Sequence, residues 1–491
     1  MTSSSDLYRH LRRYKLDSLL LSIGNITRQM MANNQAIQPI DVIREKGALQ
    51  WKNKFNLSAF HLSDLAYHAI QATNDFGKKH PSFHDIIMLS DQYIKYDEQK
   101  SSIEYHNLQG SDFLIRVIVG HSQKQFPYQE KYRIRDEFNR QVEITERIPK
   151  KINSKFLFDD ICHKETGLNL SDLRTVLFAL YVFNSGSSDL TAIILNEPLN
   201  HIHPVLTTVN INRVIDFYSG NYNDFRISNF AENHFHIKPI VRTSSDHLIV
   251  PDAFMLAKKM ADGPLWILRN HFNNDDNSQS FVKYFGDLFE QYVEDMLTSQ
   301  LNTNQYERIP ESKKEKRADW FIYTKNYRVI IELKSSIASI AIKTLYPDLE
   351  NIKTYLERLS KGVLQLDKTE QAYPTSDLKT IKILVHYDTL FFSDGTLRPF
   401  IIKQLQEKLN NTKNIFLCDI GEFEWFISVM NKSEAEAELI IDKKIETQHN
   451  PKEGIEFSQI IPRITKTGNT YNNQVLNHLG KYFPGLPHQV I

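Results

Sequence analysis

The stretch Arg317–Ser336, RADWFIYTKNYRVIIELKSS, decides how this chain is read. Two short apolar runs flank a turn at Lys325-Asn326, the pattern of a β-hairpin. The second run carries Val329, Ile330, Ile331 and Leu333, yet Glu332 and Lys334 interrupt it. Asp319 interrupts the first run in the same way. Residues two apart on a strand share a face, so Glu332 and Lys334 sit side by side, and Asp319 can be brought opposite them. Burying these charges without compensation is expensive. A divalent cation supplies it: two carboxylates and a backbone carbonyl suit magnesium, which takes oxygen ligands and keeps several waters. A lysine beside the ion would hold or activate a bound water. Phosphodiester hydrolysis is the reaction class such a site serves. The competing reading is a solvent-facing hairpin, with Asp319, Glu332 and Lys334 in a cross-strand ion pair and Ile331 and Leu333 inside.

Outward from the hairpin, the pattern is that of an α/β core. Before it, Phe281, Tyr284, Phe285, Leu288, Phe289, Tyr292, Val293, Met296 and Leu297 form one apolar helical face. After it, DLENIKTYLERLSKGVLQLDKTEQAY reads as a helix, TIKILVHYD as a buried strand, PFIIKQLQEKL as a helix and NIFLCDIGEFEWFI as a strand. SEAEAELIIDKKIE reads as a late helix. From about 281 to 425 the order is helix, strand, strand, helix, strand, helix, strand, which implies a mostly buried mixed sheet. The segment before Arg317 is a candidate for a further strand against the hairpin.

This arrangement resembles the PD-(D/E)xK nuclease superfamily. Asp319 on the first strand and the ELK run, Glu332 to Lys334, carry the resemblance. The family's usual proline before the aspartate is replaced here by RAD. Many members carry a glutamate on the first helix, often a metal or water ligand, and Gly286 to Glu290 in FGDLFEQYVEDML matches that pattern. Glu290 is the implied residue, with Glu294 one turn on. Exonuclease-like members place a glutamine on the helix after the hairpin, and Gln365 stands at that position. The resemblance covers about residues 281–425. It implies a restriction-endonuclease-like fold in which Asp319, Glu332 and Glu290 serve Mg2+ or Mn2+. Lys334 would orient or activate water, Gln365 would help position the site, and products would carry a 5′-phosphate. DNA is favoured over RNA because most of the family cuts DNA. Plain alternatives exist: Glu290 and Gln365 fit solvated helix faces as well.

KKEKR, spanning Lys313, Lys314, Lys316 and Arg317, is a candidate phosphate-backbone contact, or simply a solvated charge run. His201 with His203, and His234 with His236, have the spacing that puts both imidazoles on one face of a strand. No cysteine and no H-E-x-x-H accompanies them, so structural or surface histidines are expected rather than a metal site. No G-x-x-x-x-G-K-[ST] run occurs, so no P-loop and no ATPase are expected.

The rest of the chain sets bounds. Its 491 residues exceed one ordinary core and imply two or three domains. With 41% hydrophobic and 24% charged residues the composition is that of a soluble globular protein. Formal net charge is zero, so any nucleic-acid surface must be a local patch. Two distant cysteines, Cys162 and Cys418, read as buried thiols and fit a reducing cytoplasm. The apolar run in LDSLLLSIGN is short for a leader, and TVLFALYVF from Thr175 is far short of a membrane span, so no membrane partner is expected.

Residues 1–270 read as a large, mostly helical α+β domain of unassigned fold with a subdivision near 150. FHLSDLAYHAIQATNDF has helical spacing, while DFLIRVIVG and RQVEITERI look like strands. A helix through Tyr181 is expected to be capped by Ser171 or Asp172. HFHIKPIVRTSSDHLIVP reads as two extended segments turning at Ser244-Ser245. The polar stretch Asn270–Ser280 marks a boundary or long loop. Residues 271–440 would be the nuclease domain and 441–491 a C-terminal extension. A helper domain fused to one nuclease core resembles bacterial anti-phage defence effectors in architecture. A homo-oligomer or a defence-system partner protein is compatible with that architecture. The alternative reading is an inactive nuclease fold that binds nucleic acid or protein.

Overall fold

The computed structural model describes residues 4–46, 49–72, 77–106, 110–128, 133–152, 158–195, 199–227, 233–274, 278–312, 315–339, 342–343, 346–375, 377–388, 393–448 and 456–482. The chain divides into two units. The first comprises Met1–Asn107, Pro127–Ile134 and Leu157–Leu268. The second comprises Leu108–Phe126, Arg135–Phe156 and Arg269–Ile491. Two inner segments, 108–126 and 135–156, therefore belong with the C-terminal half, which no linear division of the sequence captures.

In the first unit, apolar residues at helical spacing make the core. Leu16, Leu19, Leu20, Ile23 and Met30 are buried on the helix Leu16–Ala32, and Leu62, Leu65, Ala66, Ala69 and Ile70 on the helix Ala59–Ala72. The Leu170–Gly186 helix is capped by Asn169, whose side chain accepts from the Asp172 N–H, so it starts just before the expected caps. Strands β1 (Ile37–Lys46) and β2 (Leu49–Ser58) form an antiparallel hairpin that the pattern reading missed. A small sheet joins β3 (Ser219–Asn221), β4 (Ile240–Arg242) and β5 (Leu248–Ile249). The expected pair of extended segments is β4 and β5, antiparallel, with Asp246 at φ 59 in the turn between them. His234–His236 is a single 3-10 turn, and His201 closes another, Leu199–His201. The histidine pairs therefore do not share a strand face.

In the second unit, five strands form a mixed sheet in the order β10-β9-β8-β7-β6. They are β6 (Tyr306–Arg308), β7 (Trp320–Tyr323), β8 (Tyr327–Lys334), β9 (Lys379–His386) and β10 (Ile415–Asp419). β6, β7 and β8 are antiparallel in succession, and β8, β9 and β10 are parallel. A parallel neighbour needs a crossover, and the Leu349–Ala372 helix supplies it between β8 and β9. One sheet face, with Phe321, Ile330, Leu384, Ile415 and Leu417, shares a core with Ile352, Tyr355, Leu359, Val363 and Leu366 of that helix. The other face is also buried, through Trp320, Ile322, Val329, Ile331, Ile383 and Phe416, and Lys444 of the Glu434–Thr447 helix lies over the Phe416 ring. Double coverage explains why β8 carries the consecutive apolar residues Val329, Ile330 and Ile331. The Ser278–Gln300 helix buries all nine residues of its predicted stripe.

Three expectations are corrected. DFLIRVIVG lies in a helix, Gly110–Gln125. Its β-branched residues suggested a strand, but Ile115 and Val119, four apart, share one buried face in the same core as Ile352 and Tyr355. RQVEITERI is also helical, through Ile134–Val142, Glu143–Arg147 and Ile148–Lys151. NIFLCDIGEFEWFI is a strand only to Asp419. That side chain accepts from the Glu422 N–H at 2.9 Å and caps the helix Ile420–Lys432. The polar stretch Asn270–Ser280 contains the end of the helix Ala253–Asn274 and the start of Ser278–Gln300. Both cysteines are buried thiols. No helix among the described residues is long and apolar enough to cross a membrane.

Candidate active site

The hairpin places its charges on the face of the sheet that meets the Leu349–Ala372 helix. The ladder pairs Phe321 with Ile330, and Glu332 with Leu384 of β9. By strand alternation Asp319, Phe321, Ile330, Glu332 and Lys334 share that face. Asp319 precedes β7 but continues its pairing, since its N–H donates to the Ile331 carbonyl at 2.9 Å. Glu332 is 1% exposed, which removes the solvent-facing reading of the hairpin.

Each charge has defined surroundings. Asp319 Oδ2 accepts from the Leu333 N–H at 2.7 Å. Lys334 Nζ donates to Glu332 Oε1 and, at 2.8 Å, to Gln365 Oε1. Gln365 Nε2 in turn donates to the Arg317 carbonyl at 3.1 Å. This tie runs from the loop before β7, through the crossover helix, to the end of β8. Glu332 Oε2 is buried and has no hydrogen-bond partner. Burial pushes the Asp319 carboxyl up to about 6, against the Leu333 bond and the Lys334 charge. Burial and the neighbouring Asp319 charge push Glu332 well above the usual carboxylate range, with Lys334 opposing.

Gly362 makes this packing feasible. A Cβ there would stand 2.4 Å from Leu384 Cδ1, 2.8 Å from Lys334 Cε and 3.3 Å from Glu332 Cγ. The glycine lets the helix backbone lie directly over the two charged side chains. In sequence its only signal is an isolated Gly within a strong helical pattern, which points to close packing.

Glu290 is near the acids but differently engaged. Its carboxylate takes a donor from Arg308 of β6, and Glu294 lies 3.9 Å from the same guanidinium. Burial raises the Glu290 carboxyl, with Arg308 opposing. The negative charge of Glu290 is felt at Asp319. Among the described residues, no group of three or more His, Cys, Asp or Glu is placed to hold a metal ion. Asp319 and Glu332 are the two carboxylates that adjoin on this face, and the Glu290 carboxylate is engaged by Arg308. A divalent cation with oxygen ligands fits the Asp319–Glu332 pair in chemistry, because one buried carboxylate oxygen lacks any partner and both acids are held off their ordinary ionisation.

The basic run divides. Lys313 and Lys314 lie outside the described residues. Lys316 is exposed, and its charge acts on Glu332. Arg317 turns to Tyr373 instead, donating to its hydroxyl at 2.6 Å with the guanidinium 5.0 Å from the ring centroid. Sequence reasoning missed Gly362, Tyr373 and Arg308. Tyr373 and Arg308 had no signal beyond lying at the ends of elements.

No family model, no curated protein and no solved structure matches this chain.

Proposed function

We propose that this chain is a metal-dependent nuclease of the PD-(D/E)xK type, with a restriction-endonuclease-like second unit. DNA is the favoured substrate. The observation that carries the reading is the cluster on the crossover-helix face of the sheet. There Asp319 and a fully buried Glu332 with an unpartnered oxygen adjoin Lys334 and Gln365. A buried Glu332 beside a partly buried Asp319, both held above their ordinary range, is a costly arrangement that serves function more readily than stability.

Asp319 and Glu332 would hold Mg2+ or Mn2+. Such an ion acts as a Lewis acid toward a phosphoryl oxygen and lowers the pKa of bound water. The chain's own residues do the rest. Lys334 spends two of its three donors on Glu332 and Gln365, leaving one for a water or a phosphate oxygen. Gln365 fixes the lysine's direction through its second bond to the Arg317 carbonyl. The Leu333 N–H fixes the Asp319 carboxylate. The first unit would select substrate or sense a trigger, as in a bacterial defence effector.

The test is cleavage of circular, linear and single-stranded DNA with magnesium or manganese, beside EDTA. Wild type should cut, and Asp319→Ala and Lys334→Ala should each lose at least about two orders of magnitude in rate. Metal-independent DNA affinity without cutting under either ion would favour a binding module on the same fold.

A further inference from the structure

Arg308 takes no part in the bonds that tie Glu332, Lys334 and Gln365 together. It ends β6, the edge strand of the sheet, and pairs across the ladder with Trp320, the residue after Asp319. The next residue, Ile309, donates its N–H to the Asp319 carbonyl at 2.9 Å, so the two strands are tied at the candidate metal acid. The guanidinium lies over the Trp320 ring, 5.7 Å from its centroid. It donates to Glu290 and has Glu294 at 3.9 Å. Its side chain is still 50% exposed. A guanidinium has five donors in a rigid fork, and these contacts leave part of it facing solvent. Its positive charge is close enough to act on Asp319.

We propose that Arg308 binds a backbone phosphate of the nucleic acid beside the phosphate being cut, and that Glu290 positions Arg308 rather than holding metal. The inference rests on the nuclease reading of the Asp319–Glu332 site. Three features support it. The arginine stands on the edge strand, on the Trp320 face opposite Asp319 and Glu332, and among the described residues no further strand pairs beyond β6, so a polynucleotide rounding that edge can meet both. Its plane is fixed from below by Trp320 and from one side by Glu290, so little freedom is lost when a phosphate arrives. Its fork suits phosphate oxygens, which a lysine meets only as a point charge. A carboxylate engaged by this arginine is not free to join a metal shell, which leaves Asp319 and Glu332 as the adjoining carboxylates. Arg308 is thus a binding residue and Glu290 a positioning residue.

The experiment uses the full chain and short fluorescein-labelled DNA, single- and double-stranded, read by anisotropy over a salt series with calcium in place of magnesium. Arg308→Ala should weaken binding about tenfold and lower the slope of log affinity against log salt by about one. Arg308→Lys should keep the slope while losing part of the affinity. In parallel, Mn2+ binding is titrated by electron paramagnetic resonance without DNA. Glu290→Gln should leave it unchanged, and Asp319→Asn should weaken it. Wild-type affinity and slope in Arg308→Ala, or no DNA binding by wild type, overturns the phosphate role. Loss of Mn2+ binding in Glu290→Gln overturns the positioning role. Failure of the nuclease reading has a separate signature: wild type does not cut with magnesium or manganese, whatever the Arg308 variants do to binding.

Discussion

Two buried charge clusters in the second unit invite comparison. In one, Arg140 meets Glu424 through two bonds, Nε to Oε1 at 2.6 Å and Nη2 to Oε2 at 3.0 Å. Its remaining Nη1 donates to Glu137. Glu424 Oε1 also accepts from the Tyr292 hydroxyl at 2.7 Å, and Oε2 from Asn469 Nδ2 at 2.8 Å. Glu424 is fully buried and each of its oxygens has at least two donors. In the other cluster, Glu332 is just as buried, yet one oxygen has nothing and Asp319 stands beside it as a second acid. The first cluster ties the inserted segment 135–156 to the helix Ile420–Lys432 and to Asn469. The second holds like charges together without enough donors. Each cluster sets two acids against one cation, so the difference lies in the donors: both oxygens of Glu424 are saturated, whereas one oxygen of Glu332 has none.

The largest effect that would sharpen this contrast is on stability. Arg140→Ala leaves Glu424 buried without its cation and should cost about 3–5 kcal/mol in denaturant unfolding. Glu332→Gln removes one of two adjacent acids and should unfold in EDTA no earlier than wild type, while cleavage is lost. If Glu332→Gln destabilises as much as Arg140→Ala, the two clusters are of one kind and the contrast fails.

Gly362→Ala tests the packing over the site. The added methyl group meets Leu384, Lys334 and Glu332, and overpacking of this sort costs about 1–3 kcal/mol. Because two of the three neighbours are site residues, cleavage should fall as well. Unchanged cleavage together with an unchanged melting temperature would show that the helix can move aside freely.

The remaining effect, similar in size to that of Gly362→Ala, is the pH dependence of the metal-free protein. The folded Asp319 carboxyl titrates at about 6, above the value of about 3.9 for an unfolded aspartate. Between these values the folded state binds more protons than the unfolded state. Asp319 therefore detracts from stability as pH rises through this window, and the penalty is complete above about pH 6. In EDTA, Asp319→Asn should melt higher than wild type at pH 7, and the two curves should converge toward pH 4. A constant difference across that range would remove Asp319 as its source.

Several elements of the second unit are legible in the sequence. The stripe of the Ser278–Gln300 helix, the hairpin with its turn, the crossover helix and β9 all follow from periods of 3.6 and 2 in long, strongly patterned segments. The hairpin also nominated Asp319, Glu332 and Lys334, because charges inside apolar strands need a reason. Less was legible where local preference and final environment diverged. Ile115, Val117, Ile118 and Val119 favour a strand by type, yet the helix Gly110–Gln125 uses Ile115 and Val119 as one buried stripe. Asp419 ended a strand and opened a helix within one apolar stretch.

By itself the sequence determined the apolar stripe of the Ser278–Gln300 helix, the hairpin, the crossover helix and β9, and it singled out Asp319, Glu332 and Lys334, since these follow from the order of side chains along the chain. Only the tertiary structure decided whether those charges are buried. It also decided that Gln365 reaches Lys334, that Gly362 makes room for them, that Glu290 is engaged by Arg308, and that segments 108–126 and 135–156 belong with the C-terminal half. The physical reason is the same in each case. Burial, partnering and pKa depend on groups brought together from distant positions, such as Lys334 and Gln365 or Arg140 and Glu424, and no local pattern encodes those pairings.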